Sequence, residues 1–172
     1  METDYGRLIW AGAYAGFLLI AAGSDAWSRR IPNWSVLAMA GLFLVGLPFG
    51  WPVASWAACL GAMALALAIG FPMFAARLVG AGDVKLLAAA ALFTGLDHLL
   101  LLFVATAMAG GALALVALTA RPYAPALAAA GWPRLRPGVP YGVAIAAGAI
   151  YAGWNAGLFT LTQRLVHIDL GP

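Results

Sequence analysis

The sequence predicts an all-α polytopic membrane protein, a six-helix transmembrane bundle forming one domain over residues 1–172. Three observations carry this. Hydrophobic residues make up 65% of the chain and charged ones only 9%, against about 25% charged in soluble domains, which excludes a water-soluble globule. The few charges are clustered, leaving uncharged stretches that approach the ~20 residues a bilayer core requires. Within the longest stretch, Pro48, Gly50 and Pro52 supply the break that a turn between two spans needs.

Taken in order, residues 8–24 are uncharged and run into Asp25. Two acids, Glu2 and Asp4, precede the first base, Arg7, so the basic start of a cleaved signal peptide is missing and this stretch is read as a retained span. Residues 31–76 again hold no charge, and the central break divides them into spans 33–47 and 53–76. The fourth, 84–96, is apolar except for Lys85. Its length covers only about 20 Å at 1.5 Å per residue. It is therefore either buried among longer helices, or preceded by a Gly-rich loop that dips below the membrane surface beside a cavity. Residues 99–120 have full length, and 137–163 supply the sixth span after an irregular Pro- and Ala-rich loop, 121–137. Small residues in the spans (Gly12, Gly16, Gly110, Gly111, Ala146, Gly148) are read as sites of close helix packing.

Orientation follows from the bases. The connections after spans one, three and five hold seven of the nine: Arg29, Arg30, Arg77, Lys85, Arg121, Arg134 and Arg136. The positive-inside rule puts these three connections in the cytoplasm and both termini outside, with Arg7 and Arg164 dissenting. The net charge of +3 is thus a topology signal; no basic arm interleaved with aromatics points to nucleic acid. The single cysteine, Cys59, lies in an apolar run, and His98 and His167 stand apart on the outer side, so no metal site is read.

Of six acids, only Asp25 and Asp83 fall on the cytoplasmic side, and both sit at span ends. Each has a plain structural reading. Asp25 is a charge that stops the first span, although a helix C-terminus disfavours an anion. Asp83 is an N-cap starting the fourth helix. Together on one side, they suggest hydrolysis by paired carboxylates, one activating water and one protonating the leaving group. Helix-end electrostatics point to Asp83 as the more readily ionised member and Asp25 as the proton holder, within a pair that titrates as a unit. Gly80 and Gly82 allow close approach to a peptide backbone. Lys85 either snorkels to the interface, meets lipid phosphate or holds a carboxylate ionised. Ile31-Pro32-Asn33 forces an extended turn and offers Asn33 as a cap for span two. Pro140-Tyr141-Gly142 opens the last span, with Tyr141 as an interfacial aromatic.

These three elements, Asp25 with Ile31-Pro32-Asn33, Gly80-Ala81-Gly82-Asp83-Val84-Lys85, and Pro140-Tyr141-Gly142, resemble the type IV prepilin peptidases. Those are membrane aspartic proteases with a GxGD motif, and the resemblance is to the short form associated with tight-adherence (Flp-type) pili. It implies a catalytic pair, Asp25 and Asp83, supported by Gly80, Gly82, Lys85, Pro140, Tyr141 and Gly142. It further implies a cofactor-free endopeptidase in the bacterial inner membrane, working at the cytoplasmic face on a prepilin or pseudopilin. Such prepilins are cut after a Gly, ahead of a hydrophobic segment with an early Glu. Longer relatives carry a cytoplasmic insertion with paired cysteines and also methylate the new N-terminus; with only Cys59 and no insertion, this chain is expected to cleave without methylating. The competing readings are a non-enzymatic membrane subunit of a pilus or secretion assembly, and a cation or proton translocator. The latter predicts further polar groups across the bundle, where the spans offer only scattered Thr, Ser and Asn.

Overall fold

A computed structural model describes residues 2–123 and 139–160. Among these residues the structure is six α-helices and two short 3-10 turns: α1 Glu2–Ser28, α2 Asn33–Gly46, α3 Trp56–Ala75, α4 Ala81–Thr94, α5 Leu99–Ala120 and α6 Tyr141–Asn155. Leu47–Phe49 continues α2 as a 3-10 turn that ends at Gly50, whose φ of +66° suits glycine. Ser55 caps α3 by accepting the Ala58 N–H at 3.3 Å.

The expected helices are all present, but not all at membrane length. Three are long and apolar enough to cross a bilayer: Tyr5–Ser28 within α1, Trp56–Ala75 and Leu99–Ala120. Helices α2 and α4 have 14 residues each and α6 has 15, short of the ~20 needed. The sixth helix is thus shorter than the span 137–163 expected from sequence. Residues 124–138 and 161–163, with Arg134 and Arg136, lie outside the described residues, as do Arg164, His167 and most of the irregular loop.

The short fourth helix is the centre of the bundle, which decides between the two readings of its length. It packs against α2, α3 and α6, and Val84, Leu86 and Ala88 to Thr94 are buried. An alanine-rich helix suits this place because small side chains let three neighbours approach on different faces. Its C-terminal Phe93 is the hub of an aromatic cluster, stacked on Tyr14 at 4.1 Å between ring centroids and flanked by Trp10 and Phe43. Trp10 also donates through Nε1 to the Leu42 carbonyl at 2.6 Å, fixing α1 against α2 at this end. At the opposite end meet the close of α1 and α3 and the start of α2, α4 and α6. The contacts are Gly142 to Asp25, Lys85 to Asn33, and Val84 against Gly70.

Close packing by small residues is selective. A Cβ on Gly148 would overlap the Thr106 hydroxyl and come within 2.6 Å of its backbone nitrogen, so α5 and α6 approach this closely at Thr106 only because this position is glycine. By contrast, Gly12, Gly16 and Gly111 have open space where a Cβ would sit, correcting the expectation that they mediate packing. Gly148→Ala is therefore expected to cost about 1–3 kcal/mol by overpacking, read as a lower Tm in detergent. Gly111→Ala should leave Tm unchanged, and equal melting of both variants would refute the contact.

Candidate active site

The last turn of α1 carries Asp25. That turn closes at Arg29, whose N–H reaches the Asp25 carbonyl at 2.9 Å and whose φ of +56° is uncommon for a side-chain-bearing residue. Ser24 Oγ donates to the Arg30 carbonyl at 2.8 Å and ties the turn back onto α1. Ile31 then precedes proline, which disfavours helical backbone, and α2 begins with Pro32 as its extended N-cap. Asn33 is the first residue of α2 and makes no capping bond, against the expectation that it caps the helix. Its Oδ1 instead accepts from Lys85 Nζ at 3.4 Å, joining the start of α2 to the first turns of α4.

The glycine motif is a helix start and not a loop. Gly80 is the N-cap of α4, Ala81 and Gly82 lie in its first turn, and Asp83 occupies the third helical position. This corrects the reading of Asp83 as the N-cap. Its Oδ2 accepts the Gly80 N–H at 3.0 Å, the acidic half of a capping box whose other half cannot form because glycine has no side chain. Gly82 faces Ile31: a Cβ there would stand 3.2 Å from the Ile31 Cβ.

Asp25 is buried, 7% exposed, one of few buried polar side chains among the described residues. Its Oδ2 accepts the Gly142 N–H at 2.8 Å. Gly142 is the second residue of α6, so the carboxylate occupies the N-terminus of a helix 117 residues away in sequence. A free backbone N–H and the positive end of the helix dipole both favour an anion there. The C-terminus of α1 taken alone disfavours this anion, and the N-terminus of α6 offsets it. In the folded chain both carboxylates meet a helix N-terminus, and helix ends no longer assign the proton to one of them. Both carboxylates stand at the same end of the bundle.

Of the residues expected around the pair, Gly80, Gly82, Pro140 and Gly142 gather at this end of the bundle. Lys85 reaches Asn33. Tyr141 is 40% exposed. Its ring lies along α5 beside Gly110, and no hydrogen bond joins its hydroxyl to either acid. Sequence reasoning missed Ile31 as the residue that covers Gly82 and Asn33 as the partner of Lys85. Both stood in the Ile31-Pro32-Asn33 motif, but a contact across 52 positions leaves no local signal. Among the described residues no three His, Cys, Asp or Glu side chains cluster as metal ligands would.

Compared with protein families, residues 12–115, well over half of the chain, match the type IV leader peptidase family. The chain belongs to that family. Membership makes it a protease of the prepilin peptidase type, and its long apolar helices agree with a membrane-associated enzyme. No curated protein and no solved structure matches the chain. The matched region contains Asp25 and Asp83 but stops before Pro140-Tyr141-Gly142. The link between that last element and the acids therefore rests on the Gly142–Asp25 hydrogen bond.

Proposed function

We propose that the chain is a two-aspartate endopeptidase that removes the cytoplasmic leader from Flp-type prepilins. The observation that carries this reading is the pairing of two carboxylates at one bundle end, each anchored by a helix N-terminus. Asp25 Oδ2 is committed to Gly142 and Asp83 Oδ2 to Gly80. Among the described residues the second oxygen of each acid has no protein donor and is available to a water held between them. One carboxylate takes a proton from that water as its oxygen bonds to the scissile carbonyl carbon. The other, protonated, gives its proton to the amide nitrogen as the C–N bond breaks. No covalent intermediate forms, and one proton shared by the pair serves both roles. Asp25 is buried and Asp83 only partly so, which suits a peptide approaching from the Asp83 side.

Arg29, Arg30, Arg77 and Lys85 stand at the same end as the acids, which supports a cytoplasmic site in the bacterial inner membrane by the positive-inside rule. The one cysteine of this sequence, Cys59, is buried in α3, and the lack of a cysteine pair in the sequence supports cleavage without methyl transfer. The test is mass spectrometry of an Flp-type prepilin co-expressed with the chain. A shortened pilin with an unmethylated N-terminus is expected. Intact prepilin would overturn the peptidase assignment, and an added methyl would overturn the restriction to cleavage.

A further inference from the structure

Beside Asp83, between α3 and the first turns of α4, lies a groove of 610 Å³. Ala81, Val84 and Lys85 line it from α4, at the i, i+3, i+4 spacing of one helix face. Asp83 does not line the groove but is the chain neighbour of Val84, on the adjoining face of the same turn. Leu67, Phe71 and Phe74 line it from α3 at intervals of four and three, one face of that helix, and all three are exposed. The floor closes at Gly70, where a Cβ would collide with the Val84 side chain at 2.6 Å.

The groove is almost wholly apolar, with one backbone exception. Ala68 and Pro72 also line it. Pro72 has no N–H, so the Ala68 carbonyl lacks its usual partner four residues on, and both residues of this gap in the α3 ladder line the groove. An acyl chain offers no donor to that oxygen. The first turn of a peptide helix does, because its leading N–H groups have no partners of their own. An occupant within the apolar layer must also be helical, since extended backbone there leaves its polar groups unsatisfied.

We propose that this groove seats the opening turns of the substrate's apolar helix, directing the adjoining scissile bond to Asp83. Leu67, Phe71 and Phe74 pack on its side chains in the manner of a helix-in-groove complex, and the Ala68 carbonyl takes one of its free N–H groups. Lys85 marks the polar end of the groove, where the helix gives way to the leader. This inference rests on the peptidase reading above.

The experiment uses the full chain and an Flp-type prepilin in vesicles of phosphatidylethanolamine and phosphatidylglycerol. Ala68→Trp fills the groove and is expected to raise KM about 10-fold with kcat nearly unchanged, the mark of lost ground-state binding. Leu115→Trp, on the exposed face of α5, should change neither. A benzophenone amino acid replacing Phe71 should crosslink to prepilin, and one replacing Leu115 should not. An unchanged KM for Ala68→Trp, or a Phe71 crosslink to lipid alone, overturns the proposal while wild-type cleavage keeps the peptidase reading. If wild type cuts no prepilin, both fall together.

Discussion

Asp25→Asn and Asp83→Asn are each expected to reduce prepilin cleavage by at least ~10³-fold, within the range that loss of a positioned acid or base produces. Both substitutions preserve the fold contacts. Asparagine keeps a side-chain oxygen that can accept the Gly142 N–H at position 25 or the Gly80 N–H at position 83. What it removes is the ability to take or give a proton. Loss of cleavage at unchanged membrane abundance therefore reports chemistry and not folding. In a dyad the two effects should not add, because either loss alone disables the shared proton. A double variant should be no slower than the single ones. Retention of near wild-type cleavage by either equally abundant variant would remove that aspartate from the mechanism.

Gly142→Ala is expected to be nearly as damaging without touching an ionisable group. A Cβ at this position would lie 2.8 Å from the Asp25 Cβ and 3.0 Å from its Oδ2. The Cβ of Asp25 is fixed to the backbone of α1 and cannot swing aside, so α1 and α6 must separate where the hydrogen bond now holds them. A displacement near 1 Å at a reacting group costs about 10²-fold in rate, and a loss of that order in kcat is the expected result. Gly16→Ala is the control, because open space surrounds that Cβ position. If Gly142→Ala cleaves as wild type does, the α6 N-terminus does not position Asp25.

Gly142 also illustrates where sequence reasoning stopped. Pro140-Tyr141-Gly142 was legible as the start of a helix, because proline tolerates a helix start and lacks the N–H that would go unused there. Nothing in those residues revealed that the adjoining N–H is spent on a carboxylate in α1. The same holds for Asp83. A short polar residue after glycines marks a helix start, but which residue becomes the cap depended on where the neighbours let α4 begin. Asp83 reaches back to the Gly80 N–H, which makes Gly80 the cap and leaves Ala81 and Gly82 inside the helix. Span limits were readable where charge or proline set them, as at Leu99–Ala120, and less so where the helix ended in apolar sequence, as at Thr94 and Asn155.

By itself the sequence determined that the chain is helical, with stretches apolar enough to cross a membrane, and which two acids are set apart from the rest. Composition and spacing suffice for this, because the cost of charge in lipid and the length of a helix are local properties. The tertiary structure alone decided that α4 is the buried centre and that Asp25 is held by α6. It also decided that Lys85 meets Asn33 and that a groove lies between α3 and the first turns of α4. Those outcomes depend on which helix faces approach one another, and a hydrogen bond between residues 25 and 142 exists only once the bundle has closed.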